Sequence, residues 1–279
     1  MKIAALQMIS TPRVADNLAT AQRLIARATR DGAQIVVLPE YFCVMGQNDR
    51  AKLEVAEGDG DGPIQRMLAA AAREYGIWLI GGTLPIRCAD ADRVLNANCV
   101  YAPDGTLAAR YDKIHLFRFD AVTSSGRESY DEGRTIQAGG VPTTVQAGAL
   151  RVGLSVCYDL RFPELYRALM HPPCDLLSVP AAFTYTTGLA HWEVLLRARA
   201  IENQCYVIAA AQGGTHENGR RTYGHSMVID PWGKVLAVRD EGEGVVLAEL
   251  DPALIASVRQ QLPALEHRRA DLSSDLRGG

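Results

Sequence analysis

No apolar run in this 279-residue chain is long enough to cross a bilayer. The opening MKIAALQMISTP carries one lysine and a short apolar run with no small-residue cleavage pattern after it. It reads as a first strand and not as a signal peptide. None of the six cysteines forms a Cys-x-x-Cys pair, so no disulfide framework is suggested and a reducing cytoplasm is the expected location. There is no basic block, and the formal net charge is −3, which argues against a nucleic-acid partner. His-Glu-x-x-His, Gly-x-Gly-x-x-Gly and phosphate-loop patterns are missing. GLSVC is not a Gly-x-Ser-x-Gly elbow, because its fifth position is Cys157. EGDGDGP looks calcium-like, but Ala70 stands where the twelfth-position glutamate belongs, so a solvated turn is expected. His216 and His225 lack a convincing third metal ligand.

Apolar residues make up 48% of the chain, enough for a sizeable core. Strand-like runs alternate with helical periodicity. KIAALQM is followed by a helix that Asp16 can cap, running through Arg30 with Leu18, Ala21, Leu24, Ile25 and Ala28 on one face. QIVVLPE and IWLIGGT read as strands around a helix over 63–75, which has Pro63 in its first turn and Gly76 just past its end. NANCVYAPDGTLAARYD reads as a hairpin about Asp104-Gly105. The second half repeats this order: LRVGLSVC, a helix from Phe162, DLLSVPA, a helix from about Leu189 to Asn203, CYVIAAAQ, a hairpin about Pro231-Trp232-Gly233, and GVVLAEL. Two similar halves predict an α/β fold, a four-layer α-β-β-α sandwich of two mixed β-sheets. An open doubly wound sheet is the competing architecture. The stretch from Phe117 to Gly140 is polar and aperiodic, and a loop of that length is often functional. The charged tail from about residue 262 is expected on the surface or at a subunit interface.

Three reactive residue types fall at strand ends: Glu40 after IVVLP, Lys113 after LAARYD and Cys157 after RVGLSV. A carboxylate, an ammonium and a thiol together can hydrolyse an acyl–nitrogen bond. The acid takes the thiol proton, the thiolate attacks, and the ammonium stabilises the anion. Each residue alone has a plain structural alternative: a core thiol, a surface lysine, a loop acid. A cysteine–histidine pairing stays open at this level, with six histidines present.

VVLPEYF, YDKIHLF and SVCYDLRFPELYRAL carry a resemblance to the nitrilase superfamily of carbon–nitrogen hydrolases. PAAFTYTTGLAHWEVLLRARAIENQCYVIAAAQGG, RTYGHSMVIDPWGKVLA and RQQLPALEHRRADL extend it over nearly the whole chain. The resemblance implies a single hydrolase domain over residues 1–279, needing no cofactor and no metal. It implies Glu40 as general base, Lys113 as transition-state stabiliser and Cys157 as nucleophile. It also implies a second glutamate seven residues before a glycine. Glu132 and Gly139 fit that spacing, and Glu128 is the alternative acid. The central segment resembles the branch acting on deaminated glutathione, with ω-amidases acting on α-ketoglutaramate close behind. Nitrile or N-carbamoyl hydrolysis is a further alternative, and a metabolite-binding scaffold a non-enzymatic one. The expected partners are a small acidic amide and water, with the chain itself forming a homodimer or higher homo-oligomer. An acidic substrate needs a cation, for which Arg161 is the candidate, a helix-start salt bridge being its other role. The Tyr158 N–H is placed to help hold an oxyanion, and Phe183 and Thr184 to line the pocket.

Overall fold

The computed structural model describes residues 1–123 and 126–269, without the side chains of residues 121–128. Its first sheet runs, side by side, Gly244–Glu249, Lys2–Gln7, Ala33–Val37, Trp78–Ile80, Val94–Tyr101 and Leu84–Arg87. Leu107–Asp112 and Ile136–Gln137 also pair onto Val94–Tyr101. The second sheet runs Thr144–Ala147, Leu150–Leu154, Leu176–Ala181, Tyr206–Ala211, Ser226–Ile229 and Val235–Arg239. Both are mixed. Lys2–Gln7 is parallel to Ala33–Val37 and antiparallel to Gly244–Glu249. Tyr206–Ala211 is parallel to Leu176–Ala181 and antiparallel to Ser226–Ile229.

The layering follows from the two-residue period of strand side chains. Ile3, Ala5, Ile35 and Val37 share a core with Val152, Val179, Ala181 and Ala209 of the second sheet. The residues between them, Ala4, Leu6, Val36 and Leu38, pack on the other face. There they meet Leu24, Ile25 and Ala28 of helix Val14–Arg30 and Ile64, Leu68 and Ala72 of helix Pro63–Tyr75. Trp192, Leu196 and Ala200 of helix Tyr185–Asn203, with Leu165 and Leu169 of helix Pro163–Leu169, cover the second sheet. The order is α-β-β-α, and the single open sheet is set aside.

Several elements differ from their sequence expectation. Arg13 takes the cap position before Val14–Arg30, and Asp16 lies in the first turn. Glu57 does not belong to a solvated turn. It is buried and accepts from the Ile64 and Gln65 N–H groups, so it closes the start of helix Pro63–Tyr75. The aperiodic stretch contains an antiparallel ribbon, Arg118–Thr123 with Gly126–Asp131, set apart from both large sheets. The helix expected from Phe162 is preceded by a 3₁₀ turn, Cys157–Arg161, and begins at Pro163. The helix expected from Leu189 starts at Tyr185. Gly244–Glu249, read as an addition to the second half, returns to complete the first sheet. The tail expectation falls partly outside the described residues, which stop at 269.

One buried carboxylate ties together the two segments on which the site is built. Asp159 accepts from the Val156 N–H at 2.9 Å and from the Tyr111 hydroxyl at 2.7 Å. Its other oxygen accepts from the His115 N–H at 3.0 Å and lies 2.7 Å from His115 Nδ1. Tyr111 and His115 flank Lys113 and Val156 precedes Cys157, so a single side chain fixes lysine and thiol relative to each other.

Two outcomes follow from this packing. Asp159→Asn keeps the shape but turns an amide NH₂ toward a donor. It should cost about 1–3 kcal/mol in chemical unfolding and lower turnover with it. Unchanged stability and turnover would show that the clamp is dispensable. For Gly188→Ala, helix propensity alone favours alanine by about 1 kcal/mol. Its Cβ, however, would lie 2.3 Å from Tyr223 Cβ, an atom that no rotamer change can move. Overpacking of about 1–3 kcal/mol outweighs the propensity gain, so the urea midpoint should fall.

Candidate active site

Glu40 and Cys157 lie beyond their strands, which end at Val37 and Leu154. Tight turns carry both residues into the space at the sheet edges. Tyr41, just after Glu40, has φ 54°. Cys157 itself has φ 48°, a left-handed conformation that costs energy for a residue with a Cβ. Lys113 directly follows Leu107–Asp112 and is anchored by its own backbone. Its N–H donates to Asn96 O at 3.1 Å, and its carbonyl accepts from the Gly139 N–H at 2.9 Å. A Cβ at Gly139 would stand 2.1 Å from Asp112 O, so glycine is required for that approach.

The three charged groups meet in one buried cluster. Lys113, at 0% exposure, places Nζ 2.8 Å from Glu40 Oε1, 2.8 Å from Glu132 Oε2 and 3.0 Å from Glu132 Oε1. Burial opposes the ammonium, but the charges of Glu132 and Glu40 outweigh it and raise the lysine pKa. Burial likewise opposes the Glu132 carboxylate, yet Lys113 holds its pKa below the ordinary value. Burial and the nearby Glu40 push the Cys157 thiol well above its ordinary value, with Lys113 pulling the other way.

The two carboxylates differ in how fully they are used. Glu132 Oε1 accepts from Tyr41 OH at 2.8 Å and from Lys113; Oε2 accepts from the Phe117 N–H at 2.7 Å and from Lys113. All four of its acceptor positions are taken. Among the described residues, Glu40 Oε1 accepts from Asn96 Nδ2 at 3.0 Å and from Lys113, while Oε2 accepts only from the Ala182 N–H at 2.9 Å. That leaves Glu40 one acceptor position without a described partner.

A narrow cleft brings together Glu40, Glu132 and Cys157 with Tyr158, Arg161, Phe183 and Thr184. Lys113 lies beneath it, in contact with both acids. Arg161 bonds the His191 ring at 3.2 Å, and its guanidinium carbon lies 5.1 Å from the Phe183 ring centroid. Thr184 precedes helix Tyr185–Asn203, and its hydroxyl is 2.7 Å from that of Thr187. Of the six free cysteines, only Cys157 lines this cleft. The side chain of Glu128 lies outside the described residues.

Sequence reasoning missed Asn96, Tyr41, Ala182, Thr187 and Arg220. Asn96 did leave a signal, a polar residue in the buried strand VLNANCVY, while Ala182 acts through its backbone and leaves none. His216 has both ring nitrogens engaged, with Ser10 O and Thr222 Oγ1, each at 2.9 Å. Among the described residues no group of three His, Cys, Asp or Glu side chains could hold a metal.

The family model of the carbon–nitrogen hydrolases matches residues 2–260. A Synechocystis protein named deaminated glutathione amidase is 45% identical over 95% of this chain and 97% of its own length. A human protein of the same name is 40% identical over 98% of this chain and 84% of its own. The solved structure of a Saccharomyces cerevisiae member of branch 10 of the nitrilase superfamily superposes with a TM-score of 0.85. It is 32% identical, with 94% of each chain covered. The chain belongs to the carbon–nitrogen hydrolase family.

Proposed function

We propose that this carbon–nitrogen hydrolase cleaves the amide of deaminated glutathione through a Cys157 thioester, giving 2-oxoglutarate and cysteinylglycine. The observation that carries the mechanism is the unequal use of the two acids. Glu40 has the open acceptor position and shares the cleft with Cys157, so it is the general base. Glu132 is saturated and its pKa is depressed, so it stays ionised and holds Lys113 in place. The thiol rests protonated, and Glu40 takes its proton as sulfur attacks the amide carbon. Lys113 and the Tyr158 N–H receive the oxyanion. Glu40 returns the proton to the departing amine. A water deprotonated by Glu40 then cleaves the thioester and frees the acid and the thiol.

The substrate reading rests on the relatives named for it, at 40–45% identity over almost the whole chain. The site adds the Arg161 guanidinium over Phe183 in the cleft, suited to the carboxylate of the keto-acid half. Arg161 has an imidazole neighbour and not the helix-start carboxylate of its alternative role. For assembly, the reading is a homo-oligomer. Leu189, Val194 and Ile201 are exposed along helix Tyr185–Asn203, and Gly233, next to exposed Trp232, packs on Ile201. No helix among the described residues is long and apolar enough to cross a membrane, and a cytoplasmic setting completes the reading.

Two measurements test this. On the proposed substrate, Glu40→Gln should lower kcat/KM by about 10²–10⁴ and Glu132→Gln by less, while Cys157→Ala abolishes turnover and the acyl adduct seen by intact-mass spectrometry. The reverse ranking of the glutamates would move the base to Glu132. In a substrate panel, kcat/KM for deaminated glutathione should exceed that for α-ketoglutaramate, a simple nitrile and intact glutathione. Intact glutathione carries an ammonium in place of the ketone, and burying that charge without a partner is costly. Equal values across the panel would remove the substrate assignment.

A further inference from the structure

Beside the Cys157 cleft lies a wider basin of about 400 Å³, and the two share a wall. Arg220 lines both spaces. Tyr41 donates to Glu132 on one side and, on the other, turns its ring toward the basin, where Lys52 Nζ stands 5.3 Å from its centroid. Tyr130 lines the basin, and its ring centroid is 6.1 Å from that of Phe117, which lines the cleft.

The basin is cationic and has spare donors. Lys52 and Arg220 line it, and Asp49 is the one carboxylate among its described lining residues. Among the described residues no ion pair includes either cation. Arg220 Nη2 donates to Ala182 O at 2.8 Å, while its buried Nε has no acceptor among the described residues. Burial lowers the Lys52 pKa, opposed by the charges of Glu132 and Asp49. An anionic ligand would match the charge of both side chains.

We propose that this basin is the leaving-group subsite, which seats the amine half of the amide as a short peptide with a free carboxylate. The terminal carboxylate meets Lys52, and the peptide carbonyl lies beside the Arg220 guanidinium. This rests on the amidase reading and deepens it, because it makes the dipeptide half, and not the keto acid alone, a determinant of specificity. Arg161 lines the cleft but not the basin, so the two carboxylates of one substrate meet different cations. An extended two-residue amine reaches about 7 Å from the scissile nitrogen.

The experiment compares wild type, Lys52→Met and Lys52→Arg on deaminated glutathione, its C-terminal glycinamide and α-ketoglutaramate, whose leaving group is ammonia. Wild type should prefer the free acid to the glycinamide by about 10- to 100-fold, mainly through KM. In Lys52→Met that preference should collapse, and the ratio of kcat/KM for deaminated glutathione over α-ketoglutaramate should fall by a similar factor. Lys52→Arg should restore most of both. Equal losses on all three compounds, or retained discrimination against the glycinamide in Lys52→Met, would overturn the subsite. If Lys52→Met does not fold, the wild-type comparison decides alone, and equal use of acid and glycinamide refutes the subsite. A wild type that cleaves α-ketoglutaramate but not deaminated glutathione overturns the subsite and leaves an amidase. One that cleaves none of the three removes the amidase reading and the subsite with it.

Discussion

A single buried ammonium sets the terms for the rest of the structure. Removing Lys113 from water costs several kcal/mol unless its charge is matched and its protons are bonded. Glu40 and Glu132 do both, from turns that follow different strands. Two acids about one cation leave a net negative charge beside Cys157. That charge, together with burial, keeps the proton on the thiol until a base removes it. The same charge disfavours a second anion next to the sulfur, a cost that the proposed mechanism meets by moving the proton onto Glu40 as the thiolate forms. Both sheets must hold their edges in register for this balance to exist, since the Glu40 carboxylate is bonded to the Ala182 N–H at the end of the facing sheet's Leu176–Ala181 strand.

Much of that arrangement was legible in the sequence because it follows strand ends. Apolar runs that stop at a reactive residue marked Glu40, Lys113 and Cys157, and the repeated element order marked two sheets. The Glu132 spacing to Gly139 has a physical basis as well. Gly139 packs against the Asp112 carbonyl and bonds the Lys113 carbonyl, so the chain leaving Glu132 must return to the lysine at a residue without a side chain.

What stayed hidden was carried by partners far apart in sequence or by groups without a side-chain signature. The strands Arg118–Thr123 and Gly126–Asp131 pair with each other and with neither large sheet, so their place depends on their own register. The destination of Gly244–Glu249 depends on which edge is free, and Lys2–Gln7 offers one in the other half. Asp159 reads as an ordinary residue after a cysteine, and three of its four contacts exist only once Tyr111 and His115 are folded against it. Lys52 and Arg220 line one basin from positions 168 residues apart, and neither belongs to a motif.

The charge balance also constrains how a substrate enters. On the proposed reading, a dianionic keto-amide approaches a centre that is itself net negative, and in a partly desolvated cleft that repulsion is weakly screened. The approach is favourable only if cations stand where the substrate's charges come to rest, away from the scissile bond. Arg161 stands in the cleft, and Lys52 and Arg220 flank the basin beyond Tyr41. Lys113 cannot serve that purpose, because both acids already occupy it. On the proposed reading, catalytic and recognition cations are thereby separated: one is neutralised and buried to stabilise a transient oxyanion, while the others lack carboxylate partners among the described residues and are left to the ground-state substrate.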